Sequence, residues 1–258
     1  MTDEQFSIFD TFRNQLKNYC HTLNERFAEE LIPLQKAAAQ KDTPFYPIQT
    51  PVVYNTALDE ITKQTEIKKI VIGDNPGKNE QLAQNQKYLV GQAGKIATSF
   101  FNKNPEFNTD FRKNVIILNK TPFHSAKTNH LNFILKNASQ PLKEAIQNSI
   151  VWMAQETAKF HQEFCKYGEQ NSTVELWLVG YAELKNKGIF ISYRDSLKQA
   201  YLHEKEFWDK VFVFQHFSMN RFSIDLADFM KKNCEADKVQ AVQKLGSLHK
   251  EEIFTSII

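Results

Sequence analysis

Three short segments carry the side chains most able to do chemistry: Gly73-Asp74-Asn75-Pro76-Gly77, Asn119 closing one apolar run, and His216-Phe217-Ser218 closing another. The first sets a carboxylate and an amide among two glycines and a proline, a composition suited to a tight turn with exposed backbone N–H groups. It reads equally as an ordinary strand-to-helix turn. An amide presents a donor beside an acceptor, so Asn119 can match the paired acceptor and donor of a pyrimidine edge, or cap its own strand end. His216 can donate to negative charge developing on a leaving group, or hold a hydrogen bond at a sheet edge. His124 and His130, in the loop after Asn119, read equally as surface residues. A phosphate-binding P-loop is excluded: neither Gly77-Lys78-Asn79 nor the run from Gly91 to Ile96 has its spacing and metal-binding hydroxyl.

Four apolar runs must position these groups: Lys69 to Gly73, Asn114 to Asn119, Val174 to Gly180 and Val211 to His216. Their β-branched and aromatic content suits buried strands of a parallel sheet. Helix-compatible segments lie between them, notably Gln92 to Phe101, Pro141 to Tyr167 and Ser196 to Phe207. This alternation predicts right-handed βαβ units in an α/β, three-layer αβα fold with a central four-stranded parallel sheet. Ligands of such sheets bind beyond the carboxyl ends of the strands, where all three chemical segments fall in chain order.

Ahead of the sheet, Phe9, Phe12, Leu16, Cys20, Leu23, Phe27 and Leu31 recur at steps of three and four, which predicts an amphipathic helix that covers the core. Pro33, Pro44, Pro47 and Pro51 then predict an extended or turned stretch. The 258 residues are read as one domain: an N-terminal helical extension over residues 1–50, a core over 51–233 and a helical tail over 234–258.

The 32 lysines and arginines against 30 acidic residues give no general electrostatic argument for nucleic acid, so a DNA partner must be argued from local sites. Three cysteines without close spacing suggest neither a disulfide framework nor a zinc site. No apolar run approaches the ~18 residues of a membrane helix, and a soluble cytoplasmic protein is expected.

At these residues the sequence resembles the uracil-DNA glycosylase superfamily, most closely its single-strand-selective monofunctional branch, over Pro51 to about Arg221. Val53-Tyr54-Asn55 is similar to the segment that precedes the family's GMNPG-type turn, and that turn resembles Gly73 to Gly77. Asn119 and Pro122 match the uracil-reading asparagine and the proline loop after it. Gly180-Tyr181-Ala182 resembles a structural strand end, and His216-Phe217-Ser218 looks like the family's HPS loop.

The resemblance implies hydrolysis of the bond between uracil, or a related damaged base, and deoxyribose, on a nucleotide flipped out of the DNA stack. Asn75 would position the attacking water and His216 would stabilise charge on the departing base. Gly73, Asp74, Gly77 and Asn119 would line the base pocket. Gly77 stands where the most uracil-selective members carry an aromatic gate, which leaves room for larger modified bases. Leu89 occupies the position of the family's stacking phenylalanine, beside Tyr88 as the other candidate. Phe217 replaces the proline of HPS. Ser218, Met219, Asn220 and Arg221 would contact DNA, Met219 as a wedge and Arg221 on phosphate. No metal, cofactor or iron-sulfur cluster is expected, since the cluster-binding cysteines of other branches are absent. The alternative is a non-catalytic or repurposed member that binds nucleic acid, a nucleotide or a protein partner. A hydrolase of free nucleosides or nucleotides is a third possibility.

Overall fold

The computed structural model describes residues 1–168 and 174–255. Its strands are β1 (Lys69–Gly73), β2 (Val115–Asn119), β3 (Glu175–Val179) and β4 (Val211–Phe214), hydrogen-bonded in the order β2-β1-β3-β4. All pairings are parallel, with Gly73 level with Asn119 and Val179 level with Phe214. The carboxyl ends therefore form one edge.

Alternation along the strands divides the apolar residues between two faces, because successive side chains of a strand point to opposite sides. Ile70, Ile72, Ile116, Leu118, Leu176, Leu178, Val211 and Val213 join one cluster, while Val71, Val115, Ile117, Trp177, Val179, Phe212 and Phe214 join the other. The first face is covered by α1 (Asp3–Ala39), α3 (His130–Asn137), α4 (Gln140–Lys166) and α5 (Ile191–Ala200), and the second by α2 (Gln92–Lys103), α7 (Arg221–Asn233) and α8 (Lys238–Thr255). The result is an α/β fold with helices on both faces of a four-stranded parallel sheet.

α1 begins at a capping box between Thr2 and Gln5 and buries its apolar stripe from Phe9 to Leu31, packed on α3 and α4. The helix runs on through Pro33, contrary to the extended stretch expected from that proline. Leu31, Gln35, Ala38 and Ala39 remain buried beyond it, so tertiary packing outweighs the one hydrogen bond a proline removes. Other boundaries also move. The segment from Ser196 to Phe207 divides between α5 and α6 (Lys205–Trp208), and β4 ends two residues before His216, which lies in the following loop. α8 is a layer of the fold: Gly246 lets it lie against β4, where a Cβ would fall 2.5 Å from the Phe214 ring. The last residues of the expected tail, 256–258, lie outside the described residues.

A buried lysine ties the strand ends together. Parallel strands that stop leave their last carbonyls without ladder partners, and buried carbonyls need donors. Lys120, wholly buried, directs its Nζ to the carbonyls of Gly73 (3.3 Å) and Val179 (2.6 Å) and to Asp74 Oδ1 (2.6 Å). Its own N–H is shared between the Gly73 and Asp74 carbonyls. One ammonium thus spans β1, β2 and β3, and the adjacent carboxylate balances its charge. Gly180 completes the arrangement. It adopts φ +99°, and any Cβ there would overlap the Asp74 carboxylate.

Lys120→Met would leave that carboxylate without its charge partner, and breaking a buried pair costs about 3–5 kcal/mol. Urea denaturation should show this loss, with part of it recovered in the Lys120→Met/Asp74→Asn double variant. Wild-type stability of Lys120→Met would contradict the tie.

Candidate functional site

Asn119 is held upright by the absence of a side chain opposite it. Gly73 is its register partner on β1, and a Cβ on Gly73 would fall 2.5 Å from Asn119 Oδ1. Asn119 is buried, and its Nδ2 has no hydrogen-bond partner. A buried amide donor left unmet costs about 1–3 kcal/mol, so this group fits a ligand better than a local cap.

The turn after β1 is fixed by residues distant in sequence. Asn75 Nδ2 donates to the carbonyl (3.1 Å) and hydroxyl (2.9 Å) of Ser125 and lies 3.2 Å from the Pro76 carbonyl. With its donors engaged, Oδ1 is the amide atom left to accept from a water. Ser125 N–H returns a bond to the Pro76 carbonyl. His124 donates to the same carbonyl through Nδ1 (2.8 Å) and accepts the Tyr46 hydroxyl at Nε2 (3.0 Å). Burial lowers the His124 pKa to about 4, which keeps the ring neutral in this chain. Gln35, on α1, donates to the carbonyls of Pro51 and His124. His124 and His130 are therefore buried rather than surface residues, His130 pairing with Asp42 at 2.8 Å.

His216 is set by its own loop. Ser218 donates its backbone N–H to His216 Nδ1 (3.1 Å), and the Ser218 hydroxyl lies 2.8 Å from the same nitrogen. The backbone donor makes Nδ1 an acceptor, so the neutral ring carries its proton on Nε2. Burial lowers the His216 pKa, and the Lys120 and Arg221 charges lower it further against the opposing effect of Asp74. Phe217 is fully buried against Phe111 and Phe222. An aromatic anchor takes the place of a rigid proline in holding this loop.

These groups meet in a cleft of about 670 Å³ at the carboxyl edge. Asp74, Asn75, Gly77, Leu89, Asn119 and His216 line it, and Ser218, Met219 and Arg221 stand on its β4 side. Three expected residues lie elsewhere. Gly73 sits beneath Asn119. Tyr88 is buried in the core with its hydroxyl on the Val53 carbonyl (2.5 Å), so it cannot stack on a base in the cleft. Asn220 lines a separate groove between α2 and α7. Leu89 is the apolar wall, held at φ +52° where Arg112 binds its carbonyl.

Sequence reasoning passed over Lys120, Ser125 and Glu80. Glu80 lines the cleft, accepts the Gly77 N–H (3.2 Å) and has its pKa pushed up to about 7 by burial, opposed by its bonds to Gly77 and Leu89 and by Arg112. A lysine directly after a buried strand-end asparagine was the one legible signal. The contacts of Ser125 and Glu80 depend on loop closure. Among the described residues no three His, Cys, Asp or Glu side chains converge as a metal site, and no helix is long and apolar enough to cross a membrane.

Comparison of the chain with protein-family models, with characterised proteins and with solved structures returned no match.

Proposed function

We propose that the protein is a DNA glycosylase that hydrolyses the N-glycosidic bond of uracil, or a related damaged base, on a nucleotide flipped into this cleft. The observation that carries the reading is the unpartnered, buried Nδ2 of Asn119 in a cleft that Asn75 and His216 also line. An amide at that depth supplies a donor for the O4 and an acceptor for the N3–H of a uracil edge. Of the buried side-chain atoms without a partner, this one belongs to a residue that lines the cleft.

The chemistry asks for little covalent help. As the bond to the base stretches, the sugar becomes cationic and the base anionic. His216 Nε2–H donates to the base oxygen where negative charge accumulates, and its neutral state is fixed by the Ser218 N–H on Nδ1. Asn75, an amide and hence a weak base, orients water through Oδ1 while Ser125 holds its nitrogen. The Asp74 carboxylate already balances Lys120 and needs no role as a base. Gly77 leaves the cleft open beside Glu80, so base substituents larger than hydrogen are accommodated.

Oligonucleotides carrying uracil, incubated with the protein and then treated with alkali, should break at abasic sites. Removing the His216 donor should reduce this by about 10²–10³-fold, and Asn75→Ala should also lower it strongly. A folded wild-type protein that forms no abasic sites from uracil or modified pyrimidines would refute the activity, and full activity of His216→Ala would refute the mechanism.

The pH profile follows from the His216 tautomer. Its pKa is held below the ordinary imidazole value of 6.5, so the ring is neutral at and above that pH and protonates only as pH falls through the lowered value. Protonation of Nδ1 would break the Ser218 bond. The kcat/KM profile should therefore be flat on this group's account through neutrality, with its acid limb below 6.5. A limb above 6.5 that disappears on replacing His216 would contradict the assignment.

A further inference from the structure

Leu89 is held in a conformation that a leucine does not adopt by itself. Its φ is +52°, in the left-handed region that crowds the Cβ of an L-residue, while its buried side chain lines the cleft. Such a conformation persists only where the surroundings impose it.

Three residues impose it. Glu80, a buried carboxylate of the cleft lining, accepts from the backbone of Leu89 and from that of Gly77 (3.2 Å). Arg112, in the loop ahead of β2, donates Nη2 to the Leu89 carbonyl and Nη1 to the Tyr88 carbonyl (3.2 Å). Gly94, in the first turn of α2, leaves room for both, since a Cβ there would overlap the Leu89 carbonyl and fall 2.6 Å from Arg112 Nη2. The N–H of Leu89 is thus held by a carboxylate and its carbonyl by a guanidinium. The same carboxylate holds Gly77, two residues after Asn75.

We infer that Glu80 and Arg112 are positioning residues of the cleft: together they clamp Leu89 in its left-handed conformation and so hold its side chain as the wall against the bound base. The base as occupant rests on the glycosylase reading above; the clamp does not.

The ionisation of Glu80 sets the clamp. A carboxylate accepts at both oxygens, whereas a protonated carboxyl turns one of them into a donor, so one of the two backbone N–H groups loses its acceptor. Burial pushes the Glu80 pKa up to about 7, opposed by its bonds to Gly77 and Leu89 and by the Arg112 charge. The clamp is complete above that pH and released on one side below it. The other ionisable groups around Glu80 are Arg112 and Tyr88, whose pKa burial raises, and the cleft adds Asp74, Lys78, Lys127, Glu183, His216 and Arg221. Replacement of Glu80 by glutamine separates it from all of these.

Methyl-labelled leucine NMR spectra test the clamp without any substrate, the Leu89 signals being identified by their loss in Leu89→Ile. They should shift with a midpoint near pH 7 in wild type and in His216→Ala, and should not shift there in Glu80→Gln. Uracil excision then tests positioning. Glu80→Ala and Arg112→Ala should each raise KM about ten-fold with kcat changed by less than about two-fold, because the wall touches the base equally in the ground and transition states. Glu80→Gln, which keeps one acceptor oxygen, should regain most of the loss. Leu89 signals that do not move in wild type, or that still move in Glu80→Gln, overturn the clamp, as does an unchanged KM in both alanine variants. Wild type that excises no uracil while its Leu89 signals titrate as expected overturns the glycosylase reading alone.

Discussion

The wholly buried ammonium of Lys120 is the constraint on which the functional edge depends. Four parallel strands that end together leave carbonyls to be met at the edge where the cleft opens. Lys120 meets those of Gly73 and Val179 and brings Asp74 into the same network. The charge would be untenable without the carboxylate, and the carboxylate fits only because Gly180 has no side chain. With β1, β2 and β3 locked, Asn119 and the turn bearing Asn75 are fixed relative to one another by the sheet itself.

A second frame comes from the N-terminal segment. α1 reaches the site through Gln35, and residues 42–50 grip both the loop after β1 and the loop after β2 through Asp42, Tyr46, Pro47 and Gln49. The segment thereby braces the two loops that line the cleft. Between these frames, the polar atoms that face outward differ from those that hold the scaffold. Asn75 donates its nitrogen to Ser125 and His216 accepts at Nδ1 from Ser218, and in the proposed mechanism the other polar atom of each meets the water or the base. This division of one side chain between support and chemistry is how a site stays preorganised.

The strands were legible because each is a short run of β-branched and aromatic residues bounded by polar or glycine positions, and β1 falls at the expected residues. The carboxyl-edge placement of Asp74, Asn75, Asn119 and His216 followed from that register. Three features escaped for physical reasons. Pro33 reads locally as a helix stop, yet the stripe on which α1 packs continues past it. Tyr88 and Leu89 are adjacent, and only loop closure decides that the tyrosine turns inward to Val53 while the leucine faces the cleft. Ser125 and His124 converge on the Asn75 turn from 50 and 48 residues away, and Gln35 holds the His124 carbonyl from 89 residues away, beyond any local pattern.

The most direct test of the cleft as a base-reading site is the rate of uracil release and of cytosine release from matched oligonucleotides by wild type and Asn119→Asp. An ionised carboxylate offers acceptors alone, so it should reject the O4 of uracil and accept the N4 amine of cytosine. Uracil release should fall by about 10²-fold or more, with relative discrimination shifting toward cytosine. Unchanged uracil release by a folded Asn119→Asp protein would show that Asn119 does not read the base.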